Sequence, residues 1–221
     1  MAAAAGKNDS SIITPARLAL LFLIVVFILA PLFQAAAQTS DHPHFDRLIS
    51  EFEEGRIFHA TFSHEYLDSY TGERTRHEGE IWISRTMYRV ESENQIMIVD
   101  GEISKVYDGL RNRLLISEYI EEEDDFAPSR MLQGVDDTYR VEEETDNNGP
   151  SIHLVTDDPF AIFTRVTIYL DSRGRPEGIE AVDQVENQLI TLFSGGEFIE
   201  EEAGLFEMEI PEDAERIDLR H

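Results

Sequence analysis

Apolar residues recur at two different spacings along this chain, and the change of spacing divides it. Phe45, Leu48, Ile49 and Phe52 stand at i, i+3, i+4 and i+7, one face of an α-helix. Ser40 or Asp41 is placed to cap its start, Pro43 to occupy its first turn and Gly55 to end it. From Phe58 the period becomes two. Phe58, Ala60 and Phe62 alternate with His59, Thr61 and Ser63, as in a half-buried strand. Strand character returns at 78–84, 88–92, 95–99, 103–107 and 113–119, with Asp100-Gly101 as a tight hairpin turn. Pro128, Met131, Leu132 and Gly134 predict a short helix that interrupts the series. Strands resume at 138–142, 151–156, 164–171, 178–184, 188–193 and 205–210. Asn147-Asn148-Gly149, Ser172-Arg173-Gly174 and Ser194-Gly195-Gly196 mark turns among them. Some ten or eleven short strands with regular turn signals predict a mainly β domain, an antiparallel sandwich or a strongly curved, barrel-like sheet.

The start of the chain reads as an address. Residues 18–33 are apolar apart from Pro31, follow Lys7 and Arg17, and precede Ala35-Ala36-Ala37. At about 1.5 Å per residue the run reaches roughly 24 Å, short of a hydrocarbon core of about 30 Å. Basic end, apolar run and small-x-small site predict a secretory signal peptide over residues 1–37, with the mature domain over 38–221. The alternative is a retained N-terminal anchor. There is no cysteine, so an exported domain would have to be stable without disulfides.

Catalytic patterns are absent from the sequence. There is no H-E-x-x-H, G-x-S-x-G, P-loop or GxGxxG signature, and the seven histidines read as solvated surface groups. The acidic runs 121–125 and 200–202 lack the spacing of a calcium loop and read as self-repelling loops. The expectation is a non-enzyme that takes no metal and no cofactor.

Several segments together resemble one family. Phe58-His59-Ala60-Thr61-Phe62-Ser63 after an amphipathic helix is similar to the first strand of the LolA family, the periplasmic outer-membrane lipoprotein carriers. Gly79-Glu80-Ile81-Trp82-Ile83 resembles its G-x-[LI]-W-[VI] strand, and Tyr88-Arg89-Val90-Glu91 its F-R-W-E. Ile98-Val99-Asp100-Gly101 with Val106-Tyr107-Asp108 resembles its hairpin, and Phe206-Glu207-Met208-Glu209-Ile210-Pro211 its F-x-F-x-x-P close. The resemblance implies an incomplete, strongly curved antiparallel β-barrel with short helices forming a lid over an apolar cavity. Phe58, Phe62, Ile81, Ile83, Tyr88, Val90, Ile96, Ile98, Met131 and Leu132 are its expected lining. It also implies an arginine latch for the lid, which direct counting from Gly79 places at Arg85, followed here by Thr86 in place of the family's proline. The implied role is a monomeric chaperone of the Gram-negative-type periplasm. It would take acylated lipoproteins from an inner-membrane ABC transporter and deliver them to an outer-membrane acceptor. The alternative is a lipid- or lipoprotein-sensing regulatory domain of the cell envelope with the same fold.

Charge changes the picture of the surface. Forty-five acidic against eighteen basic residues give a formal charge of −27, which argues against nucleic acid and against an anionic bilayer as partner. Only Lys7 and Lys105 are lysines. The carboxylates fall on polar strand positions and in loops, as a solvating skin around an apolar interior, and suggest saline surroundings where self-repulsion is screened. The melting temperature is therefore expected to rise between low and molar salt. Equal melting temperatures at the two extremes would dismiss the idea.

Overall fold

The computed structural model describes residues 41–120, 124 and 126–220; the leader assigned to residues 1–37 lies outside them. The predicted helix is present as α1 (Pro43–Glu53). Six strands follow it: β1 (Ile57–Leu67), β2 (Arg74–Ile83), β3 (Tyr88–Ser92), β4 (Gln95–Val99), β5 (Ile103–Asp108) and β6 (Arg113–Glu118). A one-turn helix α2 (Ala127–Arg130) runs into a 3₁₀ turn (Met131–Gln133). Six more strands complete the chain: β7 (Arg140–Asp146), β8 (Gly149–Val155), β9 (Phe163–Leu170), β10 (Pro176–Asp183), β11 (Gln188–Ile199) and β12 (Glu215–Asp218).

All twelve strands belong to one sheet, in the order β12-β6-β5-β4-β3-β2-β1-β11-β10-β9-β8-β7. The first and last strands of that order are not paired, so the curved sheet stays open and the barrel is incomplete. Pairing is antiparallel except between β12 and β6, which run parallel. The link that makes the long sheet is β1 with β11, joining the first half of the strands to the second.

Strand alternation gives the sheet one apolar face. Phe58, Ala60 and Phe62 of β1 sit level with Ile83, Ile81 and Gly79 of β2. On the far half, Ile179 and Ala181 of β10 stand beside Ile168 and Val166 of β9, which stand beside Ile152 and Leu154 of β8. Phe45, Leu48 and Phe52 of α1, with Met131 and Leu132 of the 3₁₀ turn, are buried in the same core. Edge-to-face ring pairs knit it: Phe52 with Phe198 at 5.4 Å, and Phe58 with Phe193 at 5.2 Å.

Three expectations need correction. The cap of α1 is His42, not Ser40 or Asp41, and it makes no side-chain capping bond. A carboxylate from across the fold takes that part: Phe45 N–H donates to Glu143 Oε1 of β7 at 2.7 Å. Ser194-Gly195-Gly196 does not turn the chain. β11 runs through it as a bulge, with Glu197 opposite His59 and Ser194 opposite Thr61. Gly195 has φ +66°, and a Cβ on Gly196 would lie 2.9 Å from the Phe58 ring. Residues 205–210 form no strand: the Leu205 and Glu207 carbonyls accept from the Arg89 guanidinium rather than from a neighbouring strand. The last strand is β12 instead, too short and polar to read.

Gly79, the glycine of the G-x-[LI]-W resemblance, has a physical reason. A Cβ there would lie 1.9 Å from the Glu91 carbonyl oxygen and 3.2 Å from the Phe62 ring. Gly79→Ala is expected to destabilise the protein by about 1–3 kcal/mol through backbone displacement at the β2–β3 edge. Urea denaturation measures it, and an unchanged midpoint would refute the close approach.

Candidate functional site

The inner face is apolar on β1 and β2 but becomes mixed toward β5. Ile81 of β2 is level with Val90 of β3, and Val90 with Met97 of β4. Met97 is level with Val106 of β5. The chain crosses above this row at Asp124 and Phe126. Between row and crossing chain lies a cavity of about 220 Å³, lined by Phe62, Val90, Met97, Val106 and Phe126, with His77, Ser92, Gln95 and Asp124 at its polar side. The Phe126 ring closes it, set edge-on to Phe62 at 5.3 Å.

Polar contacts fasten the lid at Asp124 and at Gln133. Asp124 Oδ2 accepts from the phenols of Tyr88 at 2.6 Å and Tyr119 at 2.8 Å, while its Oδ1 accepts from Phe126 N–H at 2.9 Å. Burial, then the adjacent carboxylate, push both phenols well above their usual pKa, so they remain donors at any physiological pH. The Arg130 guanidinium lies over the Tyr119 ring at 5.1 Å. The second point is Gln133 Nε2, which donates to the Ser84 carbonyl at 2.7 Å. Asp124, expected in a solvated acidic loop, is thus the tie between lid and sheet.

The ten residues expected to line a cavity separate into four groups. Phe62 and Val90 line it. Phe58, Ile81, Ile83 and Tyr88 share its face but are packed inside the core. Met131 and Leu132 are buried under the lid turn, with Met131 also edging a second hollow of about 350 Å³ beside Val135, Tyr139 and Phe160. Ile96 and Ile98 do not face the cavity. They are level with Glu91 and Arg89, on the outer face. The run Ile96-Met97-Ile98-Val99 is apolar on both faces, so its parity could not be read from sequence. Met97 and Val106 were missed for the same reason, and Phe126 because it lies in irregular chain.

Arg85 is an exposed residue of the β2–β3 turn and makes no hydrogen bond to the described lid residues. The arginine that binds backbone carbonyls is Arg89, four residues on and on the outer face. Its Nη1 donates to Leu205 O at 2.8 Å and Glu207 O at 2.7 Å, and Glu91 neutralises it. Arg89 therefore clamps the C-terminal segment to the back of the sheet, where it also lies 5.8 Å from the Trp82 ring centre.

With this geometry in hand, known proteins can be compared. No protein-family model matches the sequence, and no curated protein matches it. The structure is similar to an uncharacterised conserved protein of Thermus thermophilus, with TM-score 0.50 and 15% identity over 78% of this chain and 98% of that one. It is also similar to a domain named for outer-membrane lipoprotein sorting from Vibrio parahaemolyticus, with TM-score 0.42 and 10% identity over 75% and 95%. A LolA superfamily protein of Nitrosomonas europaea matches with TM-score 0.39 and 9% identity over 74% and 97%. The likeness is one of fold. The open curved sheet with helices on one face is the architecture that the sequence motifs implied.

His64 departs from the expected surface histidine. It faces inward from β1, fully buried, with Nδ1 2.8 Å from Thr191 Oγ1 and its ring 5.0 Å from Phe126. Its Nε2 has no hydrogen-bond partner among the described residues. Burial, and secondarily His77, push its pKa down to about 4 from an ordinary 6.5. Folding thus favours the neutral ring, and the unfolded chain binds the extra proton first as pH falls. Relative to His64→Gln, the protein is expected to lose about 2–3 kcal/mol of stability between pH 7 and pH 4.5. Parallel urea titrations of the two proteins at both pH values measure it; equal losses would overturn the assignment.

Proposed function

We propose that this protein is an exported carrier that shields the acyl chains of lipoproteins in its inner-face cavity and conveys them between the two membranes of the envelope. The observation that carries this reading is the lidded cavity itself, apolar on the side formed by Phe62, Val90, Met97, Val106 and Phe126. Its roof is Phe126 and the short helical turn, and polar bonds at Asp124 and Gln133 hold that roof to the sheet. A cavity of about 220 Å³ is smaller than pockets for ordinary small ligands, which run to roughly 300–1,000 Å³. Acyl cargo therefore requires the lid to lift and the apolar face beneath it to open. Each methylene transferred from water contributes about 0.8 kcal/mol, so one long chain outweighs the handful of bonds at Asp124 and Gln133. Loss of cargo lets those bonds re-form, and the carrier closes over its own apolar face.

The ordered motif resemblance and the leader at residues 1–37 support export to the periplasm. Cargo release by an inner-membrane ABC transporter and delivery to an outer-membrane acceptor complete the proposed cycle, with no covalent step.

Purification from the periplasm of a Gram-negative host that overproduces lipoproteins tests the proposal. Mass spectrometry is expected to find acylated peptide with the wild-type protein and to find none with Met97→Arg, which sets a charge in the cavity. A wild-type protein free of acylated material under these conditions would refute the carrier role.

A further inference from the structure

The two ends of the sheet are built from the same turn and finished differently. At one end lie the connections β1–β2, β5–β6, β8–β9 and β10–β11. The four most exposed large apolar residues of the described chain are all there: Tyr70 at 96%, Phe160 at 92%, Leu110 at 79% and Val185 at 66%. Each stands two residues after an aspartate: Asp68, Asp158, Asp108 and Asp183. The aspartate Oδ1 accepts a backbone N–H of the turn, from Tyr70 at 2.9 Å, Phe160 at 2.9 Å, Arg111 at 3.1 Å and Val185 at 2.8 Å. At the opposite end the same turn presents polar residues: Glu102 after Asp100, Asn148 after Asp146 and Arg173 after Asp171. Turn chemistry is therefore common to both ends, and only one end carries apolar tips.

These tips are held in place. Ser69 Oγ donates to Val185 O at 2.7 Å and Ser69 N–H to Asn187 Oδ1 at 2.9 Å, joining the Tyr70 and Val185 turns. Gln184 Nε2 donates to Asp158 O and Ala161 O, joining the Phe160 loop to the same group. Leu110 stands across an open depression of about 640 Å³ that shares His77, Ser92 and Gln95 with the cavity. The apolar-tipped end is thus also the end at which the cavity meets the surface.

We infer that this end docks on a lipid bilayer of zwitterionic headgroups, with Tyr70, Leu110, Phe160 and Val185 entering the interface and the cavity mouth turned toward the lipid. The four side chains project singly from separate turns, with acidic and polar residues between them. A protein partner would need a separate hole for each, whereas a fluid interface accepts them at any spacing. The surrounding charge selects the lipid. Asp68 and Asp108 are held below the usual carboxylate range by turn N–H groups, and Glu73, Asp157, Asp183 and Glu186 stand nearby. Such a rim complements headgroup ammonium groups and is repelled by anionic lipid.

The absence of cysteine permits a site-by-site test on the full chain. Tyr70→Cys, Leu110→Cys, Phe160→Cys and Val185→Cys are each labelled with an environment-sensitive fluorophore, with Leu219→Cys as the reference at the far end. Vesicles of phosphatidylcholine and phosphatidylethanolamine are expected to blue-shift the four tip labels and to quench them through a lipid-borne quencher, leaving the Leu219 label unchanged. Replacing half of the lipid by an anionic one is expected to weaken the response severalfold at low salt, and molar salt to restore it. Tip labels that stay in water, or shift no more than the label at 219, would overturn the inference. Tip labels that respond to protein-containing envelope membranes but not to pure lipid would overturn it in favour of a protein partner. The assay contains no lipoprotein, so its outcome is independent of the cargo experiment.

Discussion

The structure depends on one constraint: an open sheet of twelve strands has an apolar face far larger than its helices can cover. α1 and the lid turn amount to few residues, and they reach only part of that face. Where they reach, side chains interlock as in any core, from Leu48 and Phe52 to Ile152 and Ile168. Where they do not, the face is roofed by irregular chain around Phe126, and a cavity remains. A barrel that closed on itself would fill its interior with its own side chains. Leaving β7 and β12 unpaired preserves the option of opening.

Polar bonds hold the roof because apolar packing alone would leave little means of letting go. The Asp124 carboxylate between two phenols is strong while dry and replaceable by water once the lid lifts. The outer face uses the opposite arrangement. Arg89 grips two carbonyls of the C-terminal segment and is neutralised by Glu91, so that segment is fastened to the back of the sheet while the lid works on the front. The same β3 strand serves both, Tyr88 inward to the lid and Arg89 outward to the segment, by strand alternation alone.

That alternation explains what could be read in advance. Phe58 and Phe62 were legible because His59 and Thr61 alternate with them, Ile81 and Ile83 because they sit in the G-x-[LI]-W-[VI] pattern, and the ordered motifs around them carried the fold. The assignment of Ile96 and Ile98 to the cavity failed because Ile96-Met97-Ile98-Val99 offers no polar neighbour from which to take a phase. The latch at Arg85 came from counting along a family pattern. Position along the chain does not determine which face a residue meets, and Arg89, in register with Ile98, binds the Leu205 and Glu207 carbonyls on the outer face. His64 looked like one more polar residue on β1. It is buried because it shares the parity of Phe58 and Phe62 and has Thr191 opposite it, whose hydroxyl is hydrogen-bonded to its Nδ1. The roof residues Asp124 and Phe126 follow no period, so nothing local marked them.

The acidity of the chain takes on a more specific meaning in this light. Part of it is a solvating skin, as the strand positions suggested. Another part is structural, since Asp68, Asp108, Asp136 and Asp171 each accept turn N–H groups and are held ionised by them. A chain without cysteine cannot cross-link its loops, and these carboxylates order the turns locally instead. Their folded pKa values lie below the unfolded ones, so this ordering is complete at neutral pH and fades as pH falls through the carboxylate range. Because the aspartate shapes the turn, the residue two positions later is free of structural duty and open to selection for what it touches. It is polar at one end of the sheet and apolar at the end where the cavity opens, so the residue that each acidic turn presents, and not the turn itself, distinguishes the two ends.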